Sequence, residues 1–312
     1  MTPAARAFAL SGGRCCGGFP HRGSGSGPDS VGRCFSVRSG QSRRSSPSAF
    51  QGEIAVSRTV PARVAALGGA VVVLLATVTG CGGSAEDDKD PEHRTFALRG
   101  HTLTVDSGDS ALEIVAADAY EAGSVRVTRW FKGSVLVGQD PRVTWEMKDD
   151  DRLVLRMKCS GFVADCSAKH RVEVPRGIAV KVEADDGSVR ARGFRDALSI
   201  RTDDGSVHVT DTTGPLELRA DDGSVRAEVS SRRVRAGTDD GSVRLELGAV
   251  PDRVDASSGD GSVGITLPHA AYRVTARSGD GSVDVSVPRD DSSPHVVSAT
   301  TDDGSITVRT AG

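Results

Sequence analysis

The sequence predicts an all-β protein whose main body is a parallel β-solenoid. Two observations predict this fold. The tetrapeptide Asp-Asp-Gly-Ser or Gly-Asp-Gly-Ser recurs seven times toward the C-terminus and is always followed by Val or Ile. Apolar and polar residues alternate on both sides of each tetrapeptide, which is the period of a β-strand. A repeat of this length is typical of units that stack because one unit cannot bury its apolar face alone.

The repeats carry apolar residues in fixed columns. The seven repeat glycines are 18, 18, 18, 20, 20 and 23 residues apart, and the positions seven and five before and two and four after each glycine are apolar in every copy. In the second copy these are Leu198, Ile200, Val207 and Val209. We therefore expect about seven stacked coils of 18–23 residues over residues 179–312. An antiparallel meander with Asp-Gly hairpins is the alternative, but a barrel closed from its strands would be too wide for Val and Ala to fill.

The repeat turns are the first candidate site. Their residues are Asp186, Gly187, Asp204, Gly205, Asp222, Gly223, Asp240, Gly241, Asp260, Gly261, Asp280, Gly281, Asp303 and Gly304. We expect each Asp to bond its own turn backbone and each Gly to adopt a positive φ; a calcium row along the stacked carboxylates is the alternative. The outward Arg190, Arg226 and Arg244 are expected to pair with acidic neighbours in adjacent coils, or else to bind an acidic glycan.

Residues 97–178 are predicted to form a shorter, partly antiparallel β region. Cys159 and Cys166 flank a short loop between two strand-like segments, so a hairpin disulfide is expected. The alternatives are free thiols, or a metal site shared with His170, which would supply too few ligands for structural zinc.

Two aromatic positions differ in what they predict. Trp145 shares one strand face with Val143 and Met147 and is expected to belong to the core. Trp130 and Phe131 are adjacent, and both cannot point inward from a regular strand. One of this pair is therefore a candidate for an exposed aromatic contact.

A targeting segment is predicted over residues 56–80. Arg58 and Arg63 precede an uncharged apolar run that ends in Val-Thr-Gly before Cys81, which is the pattern of a secretory signal. This ending resembles a bacterial lipobox, which implies diacylglyceryl transfer to Cys81 and cleavage just before it. A retained membrane anchor is the alternative. Either one would place the body on the outer face of the bacterial cytoplasmic membrane.

The segments around this signal are polar. Residues 81–96 are expected to form a tether that lifts the body off the membrane. Residues 1–55 are rich in Arg, Ser and Gly, and we interpret them either as a disordered leader or as lying upstream of a true start at Val56 or Val60.

Charge and motifs exclude several functions. Residues 81–312 hold 30 basic and 40 acidic side chains, a balance of −10, which argues against nucleic acid as a partner and against direct adsorption to anionic lipid. The sequence contains no Gly-x-Ser-x-Gly, phosphate-loop or His-Glu-x-x-His motif. We therefore expect a protein without a cofactor and without catalytic residues.

The Asp-Gly-Ser-Val turns between short alternating strands, behind a lipobox, resemble the bacterial adhesin family of β-strand repeat proteins, whose function is unknown. The similarity covers about residues 97–312 and is closest over 180–309. It implies a right-handed β-helix-like body, a cell-envelope location, and an adhesive or envelope-sensing role without catalytic residues.

The function expected from the whole sequence is that of a non-catalytic envelope lipoprotein, held to the membrane by its lipid. Its connections at residues 247–253, 267–272 and 288–295 are predicted to contact a surface glycan or a protein. The alternatives are an envelope-stress sensor, a passive spacer, or a β-helix enzyme acting on polysaccharide.

Overall fold

The computed structural model describes residues 84–118, 123–162 and 164–312. The expectations for the leader, the signal segment and Cys81 lie outside these residues. The described residues form β-strands and one short 3-10 helix, Ala85–Asp87.

Twenty-one strands are found in the described residues. The first seven are β1 (Glu92–Ala97), β2 (Thr102–Ser107), β3 (Ala111–Ala117), β4 (Ser124–Val135), β5 (Gly138–Lys148), β6 (Arg152–Gly161) and β7 (Ala164–Pro175). Then come β8 (Ala179–Ala184), β9 (Val189–Arg192), β10 (Leu198–Thr202), β11 (Val207–Thr210), β12 (Leu216–Ala220), β13 (Val225–Val229), β14 (Arg233–Thr238), β15 (Val243–Leu247), β16 (Arg253–Ser258) and β17 (Val263–Leu267). The last four are β18 (Arg273–Ser278), β19 (Val283–Val285), β20 (Val296–Thr301) and β21 (Ile306–Thr310).

The strands form two sheets, and each coil gives one strand to each sheet. One sheet has eleven strands in the order β1-β4-β7-β3-β9-β11-β13-β15-β17-β21-β19, and the other has ten in the order β18-β20-β16-β14-β12-β10-β8-β2-β6-β5. Val207 pairs in parallel with Val189 on one side and Val225 on the other. The predicted solenoid with stacked columns is therefore confirmed, and the antiparallel meander is wrong.

Two coils lack the repeat tetrapeptide. Strands β2 and β3 form one of them, and β6 and β7 form the other. In the first, Leu103, Val105, Leu112 and Ile114 are buried in the same four columns, and Ser110 lies against Gly187 of the next coil. Nine parallel coils are thus present in the described residues, compared with about seven expected. The antiparallel part of the N-terminal region consists of β1, β4 and β5.

The order of the coils is permuted at both ends. The β2/β3 coil lies between β6/β7 and β8/β9, and the β20/β21 coil lies between β16/β17 and β18/β19. Pairing of each strand with its counterpart one repeat later therefore holds from β8 to β17, and the expectation is wrong for the last two repeats. The long connection at residues 288–295 returns the chain from the terminal coil to its place inside the stack.

The core lies between the two sheets and is closed at one end. Val209, Leu245 and Val297 are completely buried. At the N-terminal end, Phe96 packs edge-on against Trp145, with ring centroids 6.3 Å apart. At the other end β18 and β19 are edge strands, and Val283 is 44% exposed.

The folded body begins within the segment that the sequence predicts to be a tether. Strand β1 pairs along its whole length with β4. The preceding 3-10 helix is docked through the Ala85 N–H, which donates to the Ser167 hydroxyl at 3.1 Å. Ala85 itself is 3% exposed. Residues 84–96 are therefore part of the folded body, because this segment buries an apolar side chain and completes an edge of the sheet.

Candidate binding surface

The repeat glycines are required by close stacking of the coils. None of the seven has a positive φ, so the expectation of a left-handed turn residue is wrong. A Cβ on Gly223 would lie 2.2 Å from the Gly205 carbonyl oxygen, and one on Gly241 would lie 2.4 Å from the Gly223 oxygen. Real Cβ contacts are not this short, so a side chain here would push neighbouring turns apart.

Side-chain hydroxyls, most of them buried, connect the turns of neighbouring coils. Five of the seven repeats have Ser or Thr three residues before the glycine: Thr202, Thr238, Ser258, Ser278 and Thr301. The Thr238 hydroxyl donates to the Gly223 carbonyl at 2.7 Å, and the Ser258 hydroxyl donates to the Gly241 carbonyl at 2.6 Å. Sequence reasoning missed this row, although the repeated Ser or Thr at one position was a visible signal.

The turn aspartates face solvent. All seven predicted Asp side chains are exposed, and none accepts a hydrogen bond from its own turn in the described residues. Their backbone continues the ladder between coils instead, as where the Asp222 N–H donates to the Asp203 carbonyl at 2.9 Å. In the described part of the chain no three His, Cys, Asp or Glu side chains are grouped closely enough to hold a metal ion.

Arginine pairing between coils occurs on the ten-stranded sheet. Arg201 bonds Asp221, and Arg219 bonds Asp239, each at 2.7 Å. Among the arginines named from the sequence, Arg226 pairs within its own strand with Glu228 at 2.7 Å. The expected intercoil pairing of Arg226 is therefore wrong, because a carboxylate two residues along the same face is closer.

The disulfide joins the two sheets. Cys159 and Cys166 are bonded, with Cys159 on β6 in the ten-stranded sheet and Cys166 on β7 in the eleven-stranded sheet. The bond is as predicted, but β6 and β7 are not a hydrogen-bonded hairpin. Since both sulfurs are used in the bond, the alternative metal site with His170 is wrong.

His170 belongs to a buried polar cluster. Its Nδ1 lies 3.0 Å from the Ser110 hydroxyl, which lies 3.1 Å from the Ser107 hydroxyl. Burial, with a smaller contribution from the charge of Arg129, lowers the pKa of His170 to about 4. The pair resembles a nucleophile and its base, but Ser110 is 3% exposed and His170 is fully buried. A substrate cannot reach it, so the cluster holds the first coils together.

Of the two predictions for aromatic residues, one is confirmed and one is wrong. Trp145 packs against the core, as expected, and Arg129 lies 4.5 Å from its ring centroid. Trp130 and Phe131 are both half-buried, and the Trp130 ring is contacted by the ammonium of Lys169 at 5.6 Å. The prediction of an exposed aromatic contact at this pair is therefore wrong, because the docked N-terminal helix covers this part of β4.

The three predicted contact connections pack together on one edge. Tyr272 is fully buried, and its hydroxyl donates to the Pro268 carbonyl at 2.8 Å. The Ser293 hydroxyl donates to the Ala271 carbonyl at 2.8 Å, and His295 Nδ1 lies 2.8 Å from the Pro251 carbonyl. Much of this edge is therefore structural, since it carries the chain across the terminal coil.

A groove of about 780 Å³ lies on the outer face of the eleven-stranded sheet. We call it the serine groove, because the serines of the repeat turns line one side: Ser224, Ser242, Ser262 and Ser305. Gly264 is at its floor and pairs in register with Arg244 and Thr307. A Cβ on Gly264 would meet nothing nearer than 4.0 Å, so packing does not require glycine here.

The charge of the serine groove is unevenly balanced. Arg226 is paired with Glu228, and Arg309 donates to the Thr266 hydroxyl at 3.2 Å. Arg244 lies beside the bare floor and forms no ion pair with any side chain in the described residues. The exposed guanidinium of Arg244, the carboxylate of Glu246 two residues along the same strand and several hydroxyls therefore face one open groove.

A comparison with known protein families shows which family this chain belongs to. Residues 92–310 match the family described as Toastrack DUF4097. The chain belongs to the Toastrack DUF4097 family. The match covers the nine coils and the antiparallel strands, so the Toastrack domain here is the whole described β body apart from its first few residues.

Solved structures with low similarity accompany the Toastrack match. One is a "putative cell adhesion protein" from Clostridium sporogenes, with 13% identity, a TM-score of 0.29, and coverage of 71% of this chain and 100% of that one. Another is a "putative adhesin" from Bacteroides fragilis, with 13% identity, a TM-score of 0.40, and coverage of 72% and 98%. No curated protein matches. Among the described residues, no helix has the length and hydropathy needed to span a bilayer.

Proposed function

We propose that this Toastrack protein is a non-catalytic, lipid-anchored component of the bacterial cell envelope that presents the serine groove to an acidic surface glycan. The anchor is supported by the Val-Thr-Gly-Cys sequence ending at Cys81. The observation that carries the binding role is the bare floor at Gly264 beside Arg244, whose guanidinium has no ion-pair partner among the described side chains.

The chemistry of the groove suits an acidic polysaccharide. A guanidinium binds carboxylate or phosphate through two parallel hydrogen bonds. Serine hydroxyls donate and accept, as sugar hydroxyls do. Because the four serines come from four stacked coils about 4.8 Å apart, a linear chain could contact several coils at once.

Filling the floor of the groove tests this role. We expect Gly264→Tyr to reduce binding on an array of acidic glycans by about ten-fold or more, because a ring would occupy the floor and exclude one or more contacts. The protein should remain folded, since a Cβ has space at Gly264. Arg244→Gln should lower binding to acidic glycans and leave binding to neutral ones unchanged.

The matched control is Ser199→Tyr, which places the same ring on the outer face of the ten-stranded sheet. Equal glycan binding by wild type, Gly264→Tyr and Ser199→Tyr would contradict the groove as the binding site. A complete lack of glycan binding would favour the passive spacer.

The anchor has an independent test. In a bacterial host that makes lipoproteins, we expect the mature protein to begin at Cys81 and to carry lipid mass on its first peptide. Cys81→Ser should abolish both the lipid mass and the cleavage before residue 81. An unmodified Cys81 in the wild-type protein would contradict the anchor and would leave the groove test unaffected.

A further inference from the structure

We propose that an apolar tip beside the start of the described chain inserts into the membrane interface next to the lipid on Cys81. The tip consists of Leu136, Val137 and Phe162. It lies at the end of a protrusion that we call the finger, residues 132–142, 158–162 and 164–166. The inference rests on the proposed lipid anchor and goes beyond it, since it assigns a second membrane contact and an orientation to the body.

The finger is a rigid extension of the first coils. Its two layers are the ends of β4 with β7 and of β5 with β6. The disulfide joins the layers, and the Phe162 N–H donates to the Val137 carbonyl at 2.7 Å. Phe162 is therefore held beside Val137 at the end of the finger.

The tip is unusually apolar for a pair of strand connections. Leu136 is 78% exposed, Val137 is 66% exposed and Phe162 is 88% exposed. These are three of the four large apolar side chains that are exposed in the described residues. Tight connections usually carry Gly, Asn, Asp, Ser or Pro, so an exposed apolar group here indicates a contact surface.

The charge of the finger does not oppose a bilayer. Lys132, Arg142 and Lys158 stand against Asp140 and Asp165, a balance of +1. The segment from residue 81 to the C-terminus carries −10. The acidic character of the body is thus absent from its apolar tip, and insertion would depend on apolar burial rather than on attraction to anionic lipid.

The start of the described chain lies at the base of the finger. Ala85 bonds the Ser167 hydroxyl, and Ser167 pairs in register with Lys132. Val137 is five residues further along the chain from Lys132, which is about 15 Å of strand. Cys81 is three residues before Ser84, and three residues reach about 10 Å. The tip and a lipid on Cys81 can therefore meet the same membrane surface.

The anchor also makes a weak tip effective. A lipid-tethered body reaches the bilayer by an intramolecular step, with an effective concentration in the millimolar range. Three apolar side chains, too few for tight binding from solution, then suffice to orient the body.

Fluorescence quenching by the bilayer tests the orientation. The full chain is reconstituted in vesicles of phosphatidylcholine and phosphatidylglycerol with brominated acyl chains. We expect Phe162→Trp to be quenched well above the wild-type background from Trp130 and Trp145. The control Val283→Trp, at the far end of the solenoid, should show no quenching above that background.

A second measurement keeps the two proposals separate. A chain shortened to residues 82–312 carries neither the lipid nor the apolar segment 64–80, so its flotation with the same vesicles reports the tip alone. We expect weak flotation that falls about ten-fold in Phe162→Asp. Lipid mass on Cys81 of the full chain used for quenching decides the anchor.

Equal quenching in the Phe162→Trp and Val283→Trp variants, with a lipidated Cys81, would overturn the tip and leave the anchor standing. An unlipidated Cys81 would remove the anchor, and the tip would then stand or fall on flotation. If residues 82–312 sediment as a dimer, become monomeric in Phe162→Asp and fail to float, the tip would be assigned to a second copy and membrane insertion would be overturned.

Discussion

At the residue scale, the repeat tetrapeptide is explained by contact between coils rather than by turn conformation. Each glycine lies against the carbonyl of the equivalent residue in an adjacent coil. The hydroxyl three residues earlier donates to the same row of carbonyls in several repeats. The exposed aspartates add solubility along this edge. Glycine therefore recurs in every repeat for steric reasons.

Gly223→Ala should strongly destabilise the solenoid. Its Cβ would lie 2.2 Å from the Gly205 oxygen, and relieving such overpacking costs about 1–3 kcal/mol. Gly264→Ala is the matched control, because its Cβ has space and glycine in a strand costs about 0.5–1 kcal/mol. Urea unfolding should show a lower free energy of unfolding for the first and an equal or higher one for the second. Equal stability of the two variants would contradict steric selection at the turns.

His170 should make stability depend on pH above the range where carboxylates titrate. Its pKa is about 4 in the folded protein, below the ordinary value of 6.5, so the folded state favours the neutral ring. The stabilisation is complete above about pH 6.5 and is lost as pH falls from 6.5 toward 4, by up to about 3 kcal/mol.

The check for His170 is the free energy of unfolding, measured from neutral pH down toward the folded pKa of about 4. Its slope should be smaller in His170→Gln than in wild type, whatever the absolute stability of the variant. Parallel curves for the two proteins would show that protonation of His170 does not contribute.

At the element scale, the sequence predicts each coil well but does not predict which coils lie next to each other in the stack. The four apolar columns define each strand and which face it buries, as the buried Leu198 and Val207 show. The same columns make coils interchangeable, since Val263 pairs as readily with Ile306 as Val283 does. Order is then set by the connections, and the connection at residues 288–295 is long enough to cross a coil. The spacing of the apolar residues therefore does not predict the order of the coils.

The candidate sites, too, could be predicted only in part from the sequence. The Cys159–Cys166 bond could be predicted from spacing, but its position between sheets depends on which sheet each strand joins. The serine groove was visible in the sequence only as Gly264 at an outward position where most repeats have a polar side chain. The finger tip gave no periodic signal, because Leu136 and Phe162 lie in connections whose apolar character has meaning only once they are seen to be exposed.

At the scale of the whole molecule, stability should vary along the stack, because each coil contacts only its neighbours. The permuted order gives a test by amide hydrogen exchange. The β18/β19 coil has one neighbour and an exposed Val283, so its amides should exchange fastest among the repeats. Strands β20 and β21 are last in sequence but pair on both sides, and should exchange as slowly as β13 and β15.

Stacking in sequence order would reverse this, leaving β20 and β21 at the edge. Faster exchange there than in β18 and β19 would therefore show that the permuted end is not the structure in solution.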